Sequence, residues 1–205
     1  ISYLFRSNEP NWSDAAHAYV GIVVLVSAFV FMLSLPWSGL HLMLPSLLGL
    51  TICGAMAGAA YYSKASYKFI SLNLWGAAFV VSFFSLLRLF HFGLFTLFNP
   101  GILENLVLTI FGIGLVAAAF LKKSTYLFCI SLSLFLAAGI VINQVMWTLS
   151  MNAIAAGFLV YFSRELKKSL AFTYGSIAIY VAHLIWMIGN PIMTGQFESL
   201  ANPLW

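Results

Sequence analysis

"TYLFCISLSLFLAAGIVINQVMWTLSMNAIAAGFLVYFSREL", Thr125 to Leu166, is the stretch on which the architecture turns. It is apolar almost throughout and is interrupted only at Asn143-Gln144. A helix needs about 20 apolar residues to cross a bilayer, with a range of about 17–25. Read as two spans, Thr125–Ile142 and Val145–Phe162, the stretch turns round at Asn143-Gln144. Read as one kinked unit, it crosses once, and every residue after it changes sides.

Basic residues decide between these readings, because Lys and Arg accumulate on the cytoplasmic side of a membrane protein. Five further runs reach spanning length: Ala15–Leu35, Leu40–Tyr62, Phe69–Phe90, Ile102–Leu121 and Ser169–Gly189. With seven spans, Arg6, Lys64, Lys68, Lys122, Lys123, Arg164, Lys167 and Lys168 share one side, and Arg88 alone lies on the other. With six, Arg164, Lys167 and Lys168 cross over and the nine basic residues split five against four. The seven-span reading keeps the asymmetry. It predicts a cytoplasmic N-terminal segment over 1–14, a transmembrane domain over 15–189 and an extracytoplasmic C-terminal tail over 190–205.

Composition points to the same class. The 205 residues are 62% hydrophobic and 7% charged, against roughly 25% charged in a soluble domain. Too little polar surface remains to cover a globule in water. Long runs in lipid must be helical, because each backbone group has to be satisfied within its own segment. Membrane-barrel strands would be about 10 residues long and would alternate strictly; none of these runs alternates. The net charge of +4 is scattered singly or in pairs, which excludes a nucleic-acid surface. Cys53 and Cys129 both fall inside apolar runs and read as small buried hydrophobes. The chain opens at Ile1 without a legible leader, so a processed leader or an upstream region is an open expectation.

Helix boundaries have local causes. Pro36-Trp37-Ser38-Gly39, Asn99-Pro100-Gly101 and Asn190-Pro191 interrupt the runs on one side. On the other side, "SKASYKF", "KKSTYLF" and "RELKKSLAF" are short basic turns leading into Ser/Thr and aromatic residues. Trp37, Trp147 and Trp186 are expected at the outer boundary; Tyr61, Tyr62, Tyr67, Tyr126 and Tyr161 are expected at the inner one, as interfacial belts. Gly54 and Gly58 stand in GxxxG spacing within "CGAMAGAAYY" and predict a helix-packing seam. Gly112 and Gly114 suggest a second seam.

Ionisable groups at membrane depth mark sites by default. Arg88 ends the third helix and Glu104 opens the fourth, so a pair between them is expected, as a clamp or as part of a binding site. His91 follows Arg88 by three residues. With His41 and His183 it completes a polar cluster in the outer half; His17 falls at the inner side. No His/Cys/Asp/Glu spacing suits a metal. A single helical histidine can ligate haem or chlorophyll, and His183 is the deepest candidate, although no second histidine pairs with it. The expected cofactor set is therefore none beyond bound lipid. GxSxG elbows, phosphate loops and paired carboxylates are missing from the sequence.

Two resemblances accompany these readings. "LPSLLGLTICGAMAGAAYYSKASYKFISLNLWGAAFVVSFFSLL" and "LTIFGIGLVAAAFLKKSTYLFCISLSLFLAAGIV" resemble bacterial multispan membrane proteins of unknown function built from helical hairpins. That family has more spans than seven, and the resemblance implies a fragment or a relative, with no catalytic residues to carry over. "TYGSIAIYVAHLIW", Thr173 to Trp186, is similar to a late helix of type-3 membrane acyltransferases, which would give His183 a place in a site. That family also carries an Arg and a His on its first helix, whereas here Asp14 and His17 stand without the Arg.

The expectation is an all-α integral membrane protein of about seven transmembrane helices, stacked as hairpins, in a bacterial-type cytoplasmic membrane. Tight loops and small-residue seams suggest a non-enzymatic subunit or scaffold, with membrane lipids and other membrane proteins as partners. A small-molecule or lipid transporter with an outer-half polar site is the alternative. A membrane acyltransferase is the third reading.

Overall fold

The computed structural model describes residues 12–35, 43–65, 67–91, 101–142, 144–166 and 169–188. Seven helices occupy them: α1 Trp12–Ser34, α2 Leu44–Ser63, α3 Lys68–Leu87, α4 Ile102–Leu121, α5 Thr125–Ile142, α6 Val145–Leu166 and α7 Ser169–Ile188. Among the described residues there is no strand. Six helices, α2 to α7, are long and apolar enough to cross a membrane; in α1 the apolar part is the shorter Val20–Ser34.

The stretch Thr125–Leu166 forms two separate helices, parted at Asn143-Gln144. The Gln144 carbonyl accepts from the Thr148 N–H at 2.8 Å, so α6 starts its hydrogen-bond ladder afresh. Four boundaries depart from expectation by about a turn: α1 begins at Trp12 rather than Ala15 and α3 ends at Leu87 rather than Phe90, and the others are at α2 and α6. Pro45 sits in the first turn of α2, where a missing N–H costs nothing, and the helix begins at Leu44 rather than Leu40. α6 runs on to Leu166, a turn beyond Phe162.

α5 lies at the centre, packing against α3, α4, α6 and α7. α3 is the second inner helix and packs against α1, α2, α4 and α5. Leu127, Phe128, Leu132 and Phe135 on α5 are fully buried. The Phe128 ring stacks on Phe162 of α6 with centroids 3.8 Å apart. Around this core, α1, α2, α6 and α7 expose large apolar side chains, among them Val24, Phe31, Leu47, Met146, Ile177 and Leu184. Polar side chains in the helices mostly return to their own backbone: Ser82 donates to the Phe79 carbonyl, Ser85 to Val81 and Ser131 to Phe128. This leaves no unpaired hydroxyl at those positions in lipid.

Close helix approach falls on isolated glycines, not on the GxxxG pair. A methyl group at Gly76 of α3 would lie 2.7 Å from Ile130 of α5; at Gly112 of α4 it would lie 2.6 Å from Phe135 of α5. Gly49 of α2 meets Ser85 of α3 in the same way, and Gly175 of α7 meets Leu159 of α6. At Gly54, Gly58 and Gly114 nothing lies within 4 Å. Among the described residues, the seam expected at Gly54 and Gly58 is thus not an intrachain contact. Its spacing fits a packing motif, but the side of α2 that faces α3 carries Ser46, Gly49, Met56 and Ala60 instead.

Among the described residues the aromatic belt is one-sided. Tyr61, Tyr62, Tyr67, Tyr126 and Tyr161 are exposed at the end that bears Lys64, Lys68, Lys122 and Lys123. At the opposite end Trp186 is buried, and Trp147 is drawn into a cross-helix hydrogen bond. Trp37 lies outside the described residues.

Candidate functional site

The helix ends opposite the Tyr-rich end hold a buried polar cluster, built from the end of α3 upward. Past Leu87 the chain tightens. Leu89 and Phe90 donate to the carbonyls of Leu86 and Leu87, three residues back, and the His91 N–H returns to Leu87 at 2.9 Å. This turn points Arg88 and His91 at different partners.

Glu104 pairs with His91. The His91 Nε2 lies 2.6 Å from the Glu104 Oε1, and the Glu104 side chain is almost wholly buried while that of His91 is one-third exposed. Arg88, expected to hold this carboxylate, instead donates from Nη1 to the backbone carbonyl of Leu33. Helix dipoles supply the reason. The last carbonyls of a helix have no intrahelical donor, and a cation is favoured at that end. Leu33 belongs to the last turn of α1, and Arg88 itself follows the last turn of α3. Two negative helix ends thus meet one guanidinium. Glu104, in the first turn of α4, has the positive end of its own helix and the imidazole. Each charge is matched without the other.

A second set of bonds joins α4 to α6. Asn105 Nδ2 donates to Gln144 Oε1 at 2.8 Å, and Trp147 Nε1 donates to Thr109 Oγ1 at 2.9 Å. Thr109 Oγ1 in turn lies 3.8 Å from the Met151 sulfur. Positions 105 and 109 share one face of α4, four residues apart; Gln144, Trp147 and Met151 form the facing edge. Thr148 Oγ1 ties α6 to α5 through the Gly139 carbonyl at 2.8 Å. Asn105 and Thr148 are buried to within 2% of full burial. Sequence reasoning took Asn143-Gln144 only as a break. The legible signal was the pairing of a polar residue at the start of α4 with another at the start of α6.

The remaining candidates stand apart. His183 is on α7, which packs on α5 and α6 and not on α3 or α4. Its ring is tilted by 35° against Trp186, with centroids 5.6 Å apart. It therefore does not join His91 and Glu104 in one cluster. His41 lies outside the described residues. Among the described residues, no three His, Cys, Asp or Glu side chains converge to hold a metal. Cys53 and Cys129 are free thiols, partly buried, and Cys53 Sγ lies 3.4 Å from the Ala78 carbonyl of the neighbouring helix.

At the Tyr-rich end the side chains of α4 and α6 enclose an apolar groove of about 300 Å³ over α5. Ile113, Ala117, Phe120, Phe128, Tyr161 and Phe162 form much of its wall. Phe120 stacks on Tyr161 at 5.3 Å and meets Phe162 edge-on. Beside it, the Lys122 ammonium sits over the Trp75 ring of α3, 3.7 Å from the centroid. Partial desolvation, and secondarily the charge of Lys64, lowers the Lys122 pKa although the residue stays exposed to solvent; the ring's negative face opposes that by stabilising the cation.

No family model, no curated protein and no solved structure matches the chain.

Proposed function

We propose that the chain is a non-enzymatic membrane subunit or scaffold that packs against partner proteins in a bacterial-type cytoplasmic membrane. In this reading all seven helices span, as hairpins in sequence, with the N-terminus cytoplasmic and the C-terminus outside, as the distribution of basic residues favours. One observation carries the reading: most polar groups packed opposite the Tyr-rich end are engaged helix to helix, the buried Ser46 Oγ and Trp186 Nε1 being without a partner among the described residues. Glu104 is held by His91, Arg88 by the end of α1, Asn105 by Gln144 and Thr109 by Trp147. Groups used this way serve cohesion; a transport or catalytic site needs polar groups turned toward a cavity. The small-residue face of α2 supports the same reading. Thr51, Gly54 and Ala55 are exposed, Gly58 is half-buried, and among the described residues no atom lies within 4 Å of a methyl placed at either glycine. Such a surface allows close backbone approach by another helix.

The test is the size and composition of the particle extracted from native membranes in mild detergent. The expected result is a complex of fixed stoichiometry that loses this chain when Gly54→Leu and Gly58→Leu are combined. A monomeric chain that drives solute flux in proteoliposomes, with flux abolished by Glu104→Gln, overturns the proposal in favour of transport.

A further inference from the structure

The groove between α4 and α6 has a shape, a chemistry and a rim that the subunit reading does not use. Its walls are aromatic and aliphatic and include the stacked pairs Phe120–Tyr161 and Phe128–Phe162. It opens sideways, since Leu121 is 82% and Tyr161 60% exposed. At about 300 Å³ it has room for a single hydrocarbon chain.

An apolar groove does not by itself select one lipid, because lipid tails are as apolar as the side chains that line it. Selection has to come from the rim. Lys122 and Lys123 follow directly on Leu121, and Arg164 lies within one turn of Tyr161 and Phe162. All three cations are exposed, as is the one carboxylate of the rim, Glu165. Lys167 and Lys168 follow in the sequence. Lys122 is already placed over Trp75, which leaves Lys123 and Arg164 for a ligand. Lys123 also holds a left-handed backbone with φ of 50°, a conformation in which glycine is the less strained residue. A charged residue thus stands where the backbone alone would favour glycine.

We propose that this groove holds one acyl chain of an anionic glycerophospholipid, whose headgroup phosphate rests on Lys123 and Arg164. Juxtamembrane cations attract anionic headgroups, and basic pockets between spanning helices are established sites for them. The inference is independent of the subunit reading, because it concerns α4 and α6 and not the small-residue face of α2 or the polar groups opposite the Tyr-rich end.

The test uses the full chain in nanodiscs of phosphatidylglycerol and phosphatidylcholine, equimolar and with identical acyl chains, followed by native mass spectrometry. The expected result is one retained phosphatidylglycerol, favoured about thirtyfold over phosphatidylcholine if two cations contribute. Lys123→Asn, which tolerates the left-handed backbone, combined with Arg164→Gln should bring the two lipids to near parity. Ala117→Trp should expel both by filling the groove. Leu121→Trp, at the exposed mouth, repeats that test should the first variant misfold. Lys64→Gln, on the same end but outside the groove, should change nothing. Equal retention of both lipids, retention of neither, or phosphatidylglycerol binding that survives a folded groove-filling variant each overturns the proposal. A zwitterionic phosphatidylethanolamine retained as well as phosphatidylglycerol does so too, by assigning Glu165 a role equal to that of the cations.

Discussion

Replacing Glu104 with alanine separates the two possible partners of this carboxylate. Glu104 is buried and its Oε1 lies 2.6 Å from His91 Nε2. A hydrogen bond with a charged partner contributes about 1.5–3 kcal/mol. Breaking a fully buried ion pair costs about 3–5 kcal/mol, whereas an exposed pair is worth about 0–1 kcal/mol. His91 is one-third exposed and keeps access to solvent when its partner goes, so the coupling falls between these limits, at about 1–2 kcal/mol. Loss of the acidic group from the first turn of α4 adds about 0.3–1 kcal/mol that does not depend on His91. The assay is a double-mutant cycle on reversible unfolding in mixed micelles, run for Glu104→Ala with His91→Ala and for Glu104→Ala with Arg88→Ala. The His91 cycle should show coupling of about 1–2 kcal/mol. The Arg88 cycle should be additive to within about 0.5 kcal/mol, because Arg88 reaches the Leu33 carbonyl instead. A larger coupling between Arg88 and Glu104 than between His91 and Glu104 refutes the assignment of partners and restores the direct pair.

Glycine substitutions should sort by contact and not by motif. Gly112→Ala forces a methyl against the fully buried Phe135 and should cost about 1–3 kcal/mol, read as a lower midpoint in the same unfolding assay. Gly54→Ala and Gly58→Ala meet nothing among the described residues. They should leave the isolated chain unchanged or up to about 1 kcal/mol more stable, as alanine is the better helix former. Asn105→Ala and Gln144→Ala should be non-additive, with a coupling of about 0.6–1.7 kcal/mol, as is typical of interhelical hydrogen bonds in membranes. Lys123→Gly in lipid-free detergent should stabilise the α4–α5 turn by about 1 kcal/mol, since φ at Lys123 is 50° and the left-handed region penalises a residue with a Cβ.

Features that depend on segment length and composition were legible in the sequence. The break at Asn143-Gln144, the basic turns and the six long apolar helices all follow from runs of one chain segment. What depended on which face of a helix meets which neighbour was not. Arg88 and Glu104 lie at adjacent helix ends along the chain, and opposite charges on consecutive helices suggest a pair. The pairing was decided by α1, whose last turn returns to the end of α3 across more than fifty residues of sequence. His183 was grouped with His91 by depth alone. Depth is one coordinate; the position of α7 on the far side of α5 is another, and span counting does not supply it. For Gly54 and Gly58, a motif states that close approach is possible, and it does not state by what.

α4 and α6 show how the polar residues and the groove belong to one arrangement. Consecutive helices with tight turns are held together by their connections, but α4 and α6 are separated in sequence by all of α5. Near their N-terminal and C-terminal ends they meet different chemistry. Where Asn105 and Thr109 face Gln144 and Trp147, donors and acceptors pair across the two helices, so the helices are drawn together. Further along, from Ile113 to Leu121 on α4 and Phe158 to Phe162 on α6, only apolar groups face each other. Between such faces lipid competes on equal terms with side chains, so nothing compels closure and the groove remains. A polar pair introduced there tests this directly. Ala117→Asn with Phe158→Gln should draw the helices together and raise stability by about 0.6–1.7 kcal/mol while excluding lipid from the groove. If the double substitution leaves the groove open to lipid, side-chain bulk and not the absence of polar partners holds α4 and α6 apart.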